Sequence, residues 1–468
     1  MTKPSILFFA RSYQAEFFPA LTSDRYEALF VTMTRGEAAI VEQRGGKVVG
    51  CFERDFASLT AAPVPENYLL TSFMADRFLG RFKSETRRTI LGKEITFWAT
   101  LLDTYRPAAV VNELVAIEIS EVMLIESRKR SIPYLAPMTC PADDLFYWLP
   151  DPMTTSGSLL PHVAPGDAAR AVARDYMVAL SQRDYKPAYV QNLAGRRALR
   201  PLAAALVKWA KWTGVALIDR FSRNFRYEIY TDEYGKRLSV YFKAFWRRYD
   251  SLDDIPAARE IIFYPVHQEP EATLHYMSQF CANQAATIEN ILKCLTPEQV
   301  LVVKEHPADK GALLRRKFWE LRNQYSALYY IPAEVNGRAV LARATRVVTL
   351  TSTLAWEAAS IGRSVYVLGE VFFDSLRGMN AVRDFKALRI ALRKPDAESP
   401  RVEIGDIEDF VGSIAEISYP GNVLPHDQLY SASNLAGIVA AICDGAGLNG
   451  PAANVADRVA APQVTLPG

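Results

Sequence analysis

The feature that most constrains this chain is an alternation. Apolar runs of strand length are followed by segments of helical character, and the pattern occurs twice. Residues 5–10 read SILFFA, the length and composition of a buried parallel strand. Residues 29–32 and 47–50 are similar, and the Glu- and Ala-rich helical stretch between them stops at Gly45-Gly46. Residues 84–105 read as a long helix, 108–111 as a strand, 115–130 as a helix and 133–135 as a strand. Strands alternating with helices predict a parallel sheet covered on both faces.

The rhythm breaks between about 141 and 255. Residues 150–165 are rich in Pro, Ser, Thr and Gly and read as a loop. From Lys186 to Arg226 there are nine basic residues and one acid, Asp219. The region reads as a helical insertion or linker. Alternation resumes at Glu260. Strands are predicted at 261–264, 300–304, 327–331, 346–350 and 364–368, and helices at 273–295, 310–324, 334–344 and 354–361. That is a second doubly wound domain. The division predicted is an N-terminal Rossmann-like domain over 1–145, the insertion over 146–255, a C-terminal Rossmann-like domain over 256–400, closing helices over 401–445 and a disordered tail over 446–468.

The chain has 468 residues, enough for two or three domains at ~100–200 residues each. Its formal net charge is +2, which excludes a polyelectrolyte binder, and no nucleic-acid partner is expected. The five cysteines include no CxxC pair, so neither a disulfide scaffold nor a zinc knuckle is expected. The first apolar run ends at Arg11, too short for a secretory core, and no segment has the ~20 apolar residues of a membrane span. A cytoplasmic protein is expected. One segment qualifies this: 196–212 is basic, with Leu202, Leu206 and Trp209 on one helical face, and suits the inner surface of an anionic membrane or simple packing on the protein's own core.

In an open parallel sheet, ligands bind beyond the carboxyl ends of the strands. The first such end in the second domain carries Val266-His267-Gln268-Glu269-Pro270-Glu271-Ala272-Thr273. Its prolines stiffen a loop that bears one imidazole, one amide and two carboxylates. Gln268 and Glu269 are candidates for donor binding, whereas Glu271 also suits the first turn of a helix. The next end carries Lys304-Glu305-His306-Pro307. His306 can donate to a phosphoryl oxygen or protonate a leaving group, or else cap the following helix. The third carries Thr351-Ser352-Thr353, with Glu357 a turn further on. Three hydroxyls at a helix N-terminus suit an anion, although one would serve as an ordinary cap. Glu357 could accept two hydroxyls of a ribose, or be a solvent-facing acid. In the first domain, Glu113 follows the strand that ends near Val111, where it could take a proton from an acceptor hydroxyl or serve the next helix as an N-terminal acid. Arg11 offers a cation to the same cleft or is a surface residue. There is no GxGxxG or Walker pattern and no metal-ligand spacing, so neither cofactor nor metal is expected.

The segments 266–273 (VHQEPEAT), 302–307 (VVKEHP) and 351–369 (TSTLAWEAASIGRSVYVLG) resemble the capsule polysaccharide biosynthesis glycosyltransferases, which are similar to bacterial Kdo transferases. The resemblance covers roughly 260–375. It implies a GT-B fold, two Rossmann-like domains facing a cleft, and metal-independent transfer from a nucleotide sugar, often CMP-linked. The acceptor would be a surface or capsular polysaccharide or its lipid-linked precursor. By this likeness His306, Ser352 and Thr353 contact the nucleotide phosphate, Glu357 contacts the ribose, and Gln268, Glu269, Lys304 and Thr351 belong to the donor site. The sialyltransferase-type acidic-acidic-Gly sequence is missing from the N-terminal half, so the base is not fixed and Glu113 is the candidate. A CDP-glycerol-type polymer phosphotransferase, a non-catalytic glycan-binding or export protein and a sugar-nucleotide epimerase share the frame and remain alternatives.

Overall fold

The structure is a computed structural model that describes residues 3–65, 68, 70, 79–80, 82–142, 144–182, 247–269, 271 and 273–449, together with 207, 210, 211, 213, 214, 218 and 225. Apart from those few positions, the basic stretch 186–226 and the amphipathic segment 196–212 lie outside the described residues, as does the tail from 450.

The first sheet is built from β1 (Ser5–Phe9), β2 (Glu27–Thr32), β3 (Lys47–Cys51), β4 (Ala109–Val111) and β5 (Tyr134–Leu135), with α1 (Arg35–Gln43), α2 (Ser84–Tyr105) and α3 (Glu118–Lys129) between them. Its order is β3-β2-β1-β4-β5, all parallel. Side chains alternate along a strand, so β1 is apolar from Ile6 to Phe9 because both its faces are covered. Leu7 and Phe9 pack with Trp98 of α2 and Ile119 of α3, and Trp98 Nε1 donates to the Ile119 carbonyl at 2.9 Å. Ile6 and Phe8 face the other side and pack with Val41 of α1.

Three strands then form a small antiparallel sheet. β6 (Pro137–Thr139) pairs with β7 (Leu145–Trp148), and β7 with β14 (Tyr419–Pro420), which comes from the far end of the chain. α4 (Asp167–Ser181) follows β7. The predicted loop at 150–165 is tied to the second domain: Asp374 accepts from Ser156 Oγ (2.8 Å) and from the Gly157 N–H (3.0 Å). A Cβ on Gly157 would come within 2.0 Å of the Phe372 carbonyl oxygen, so the approach requires glycine.

The second sheet has the order β10-β9-β8-β11-β12-β13, again parallel. Its strands are β8 (Glu260–Pro265), β9 (Gln299–Lys304), β10 (Leu328–Ile331), β11 (Arg346–Thr349), β12 (Ser364–Val367) and the unforeseen β13 (Asn380–Ala381). Between them run α5 (Gln284–Leu292), α6 (Arg316–Gln324), α7 (Gly337–Arg343) and α8 (Thr353–Ser360), then α9 (Phe385–Leu392), α10 (Ile404–Ile417) and α11 (Ala432–Gly445). Ile261 and Phe263 face one core, Ile262 and Tyr264 the other. α8 ends as its sequence predicts, at Gly362 with φ of 74°.

One expectation needs correction. The continuous helix over 273–295 is broken: Thr273–Met277 form a π turn and Gln279–Cys281 a 3-10 turn before α5 begins. Tyr276 is drawn across to the first domain, where its hydroxyl meets Glu121 of α3 at 3.3 Å, and the backbone departs from the helical path. The two closing helices exist, but they serve different cores. α10 packs on α4, whereas Ile438, Ala441 and Ile442 of α11 join Ile6, Phe8 and Val41 in the first domain.

Candidate functional site

The carboxyl ends of β1, β4, β8, β9 and β11 open onto one cavity of 410 Å³. The second domain contributes His267, Glu271, His306, the hydroxyl triplet 351–353 and Glu357. The first contributes Tyr13, Gln14, Phe18 and Glu113, joined by the 422–426 loop that runs toward α11.

The hydroxyl triplet sits at the N-terminus of α8, where backbone N–H groups are unpaired within the helix and favour an anion. Ser352 is the N-cap, its Oγ accepting from the Leu354 N–H at 3.3 Å, so one hydroxyl performs the ordinary cap role. Thr349 Oγ1 in turn accepts from the Ser352 N–H at 3.0 Å and fixes the turn. The Thr351 N–H donates to His267 Nε2 at 3.3 Å.

His306 follows β9. Its Nδ1 accepts from the Ala308 N–H at 3.1 Å. A ring nitrogen that accepts is bare, so the neutral imidazole carries its proton on Nε2 and offers a donor. Burial pushes its pKa down, against the pull of Glu271. Glu357 lines the cavity but is paired with Arg338 Nε at 2.8 Å. Burial raises its pKa, and Arg338 limits the rise. A ribose at Glu357 would share that carboxylate with Arg338.

Glu113 stands across the cavity, 3.3 Å from Arg11 Nη1. Its backbone carbonyl accepts from Tyr134 Oη, which itself accepts from Asn112 Nδ2 at 2.8 Å, so the turn after β4 is braced from β5. Arg11 is buried, with its guanidinium 5.7 Å from the Phe9 ring.

Three predicted site residues fall elsewhere. Lys304 is buried below the cavity, its Nζ donating to the carbonyls of Glu305 (3.0 Å) and Ala333 (3.3 Å). Glu269 turns toward α5 and α6, where it pairs with Lys317 Nζ at 2.7 Å and Gln284 Nε2 at 3.2 Å. Gln268 does not line the cavity. Conversely, His267, Glu271, Tyr13, Gln14 and His426 line the cavity although none of them had a settled role from sequence alone. The first two stood in the quoted loop, and their proximity to the triplet was the missing signal. His426 is carried by an unremarkable loop far along the chain. Among the described residues, no group of three or more His, Cys, Asp or Glu side chains is placed to hold a metal ion.

Two parallel sheets with their strand ends on a common cleft define a GT-B-like α/β protein of two Rossmann-like domains. Over residues 221–402 the chain matches the family described as capsule polysaccharide biosynthesis protein. No curated protein matches it. Among solved structures it is similar to the KpsC β-Kdo 2,4 transferase of Thermosulfurimonas dismutans, at 15% identity over 68% of this chain and 82% of that one, with a TM-score of 0.33. The β-Kdo 2,7 transferase of the same organism's KpsC is 10% identical over 94% and 99%, with a TM-score of 0.35. S. aureus MnaA, solved with UDP, is 12% identical over 89% and 95%, with a TM-score of 0.32.

Proposed function

We propose that this protein transfers a sugar from a nucleotide-activated donor to a glycan acceptor in surface or capsular polysaccharide synthesis. The observation that carries the reading is the convergence, on one interdomain cavity, of the α8 N-terminus with its hydroxyls and the Nε2–H donor of His306. Such a set binds a diphosphate or monophosphate ester and stabilises the negative charge that builds on it as the sugar leaves. Ser352, Thr353 and His306 hold the phosphate, and Glu357 with Arg338 meets the ribose. The family match over 221–402 directs the reaction toward polysaccharide synthesis.

The acceptor enters against the first domain, and Glu113 takes the proton from its hydroxyl. Arg11 Nη1, 3.3 Å from Glu113 Oε1, holds that carboxylate in place at the cavity wall. The reading assigns the chain a CMP-linked donor, no dependence on a metal ion and a place at the inner surface of an anionic membrane through 196–212.

A hydrolysis panel of CMP-Kdo, UDP-N-acetylglucosamine, GDP-mannose and CDP-glycerol tests this, with and without EDTA. Nucleotide release from CMP-Kdo that survives chelation is the expected result. Release from CDP-glycerol alone would make the protein a polymer phosphotransferase, and no release from any donor would remove the enzymatic reading.

A further inference from the structure

The loop after β8 places an imidazole and a carboxylate, His267 and Glu271, in the cavity wall. Neither takes part in the phosphate contacts assigned to His306, Ser352 and Thr353. His267 is 8% exposed, and a single amide clamps its backbone. Its N–H donates to Gln284 Oε1 at 2.6 Å, and its carbonyl accepts from Gln284 Nε2 at 2.9 Å. Gln284 is the buried first residue of α5, so the core of the domain sets the position of the loop.

The ring is held at both nitrogens. The Thr351 N–H points at Nε2, and a backbone N–H can only donate. Nε2 is therefore bare, and the proton of the neutral ring lies on Nδ1. Nδ1 is 3.3 Å from Glu271 Oε2, so it donates to that carboxylate. One imidazole thus ties the loop after β8 to the hydroxyl triplet after β11.

We infer that His267 is a positioning residue, which holds the Glu271 carboxylate in one orientation in the cavity wall so that it faces the donor sugar during transfer. The orienting of Glu271 stands on geometry alone, whereas the role of Glu271 in transfer rests on the proposed reaction. When the bond between the anomeric carbon and the nucleotide phosphate breaks, both electrons leave with the phosphate oxygen. The sugar ring becomes positive, and a prearranged anion beside it lowers the barrier without reorganising.

The surroundings favour the anion. Burial raises the Glu271 pKa, but the hydrogen bond from His267 leads the influences that outweigh it, and the net direction is down. The carboxylate keeps 37% of its side chain open to the cavity, which softens the burial. Lys304 and Asp309 act on His306 in opposite senses, and Asp309 is itself paired with Arg315 Nη2 at 2.7 Å.

Two substitutions separate positioning from packing. Asn at 267 places an amide N–H where Nδ1–H was and keeps the donor to Glu271. Gln reaches further and keeps only a partner for the Thr351 N–H. In the full chain labelled with 15N-histidine, long-range NMR at about pH 8 sees only five histidines, and either variant assigns one by its loss. That set should show the Nδ1–H tautomer, and an Nε2–H tautomer would overturn the inference. Nucleotide release from the four-donor panel should then stay near wild type in H267N. In H267Q it should fall about 10- to 100-fold, the span of a lost hydrogen bond to a charged group. Its acid limb should also move to higher pH, because Glu271 loses the donor that favours its ionised form. Equal losses in both variants with an unmoved acid limb would reduce His267 to packing. A wild-type protein that releases nucleotide from no donor would remove the role of Glu271 in transfer, while the tautomer would still decide the orienting contact.

Discussion

Lys304 and His306 stand two positions apart at the end of β9 and have opposite fates. His306 reaches the cavity, while Lys304 ends inside the domain with two carbonyls as partners. Burial drives the Lys304 pKa down to about 8. An unfolded lysine titrates near ~10.4, so the unfolded chain holds the proton more tightly between those values. Below about pH 8 the cost of the buried charge is fully present, and it is relieved as pH rises toward ~10. Urea unfolding should therefore show stability contributed at this position climbing across that window. Lys304→Met should remove the climb and be no less stable at neutral pH, since an apolar replacement leaves no buried charge. An identical slope in wild type and variant would mean that the amine is not desolvated. At this scale the sequence made His306, Glu113 and the 351–353 triplet legible, because position at a strand's carboxyl end is visible in the alternation itself. It could not show that Glu269 would be claimed by Lys317 and Gln284, whose contacts span 48 and 15 residues.

Elements of the second domain are joined by one buried cation. Arg346, at the start of β11, is 1% exposed and pairs with Glu260 of β8 at 3.0 Å and Asp396 at 3.3 Å. It also donates to the carbonyls of Leu392 (2.9 Å) and Lys394 (2.6 Å) at the end of α9. Removing it leaves Glu260 with Gln299 alone and Asp396 with Arg401, and takes the buried donor from the carbonyls at the end of α9. Arg346→Ala should cost about 3–5 kcal/mol in chemical denaturation. A loss below ~1 kcal/mol would show that water replaces the guanidinium without penalty. Most strands and helices were legible from apolar run length and caps, since each is fixed by its own residues. The 273–295 helix was misread because its periodicity is real but Tyr276 obeys a partner in the other domain. β6, β7 and β14 were not foreseen, because two of them are a few residues long and the third joins them from more than 250 positions away.

The whole molecule is closed by α11, which leaves the second domain to complete the core of the first. That return also carries the 422–426 loop to the cavity, pinned by Tyr13 Oη on the Val423 carbonyl and by the Asn434 amide on the Asn422 carbonyl. Nothing in the local sequence of 422–434 announces such a partnership. At this scale the segment 196–212 makes a separate prediction. Each of its basic residues near an anionic surface is worth ~1 kcal/mol, and the attraction is screened by salt. Co-sedimentation should be strong with phosphatidylserine vesicles at low salt and weak at high salt or with phosphatidylcholine alone. Equal recovery in the supernatant under all conditions would assign Leu202, Leu206 and Trp209 to the protein's own core.

The central claim is that a nucleotide binds between the domains on His306 and the α8 N-terminus. Calorimetric titration of CMP, with UDP and CDP as competitors, tests it most directly. Wild type should bind at least one of these nucleotides, and His306→Ala and Ser352→Ala should each weaken that binding by about 1.5–3 kcal/mol with the fold intact by circular dichroism. Nucleotide affinity unchanged in both folded variants would contradict the account.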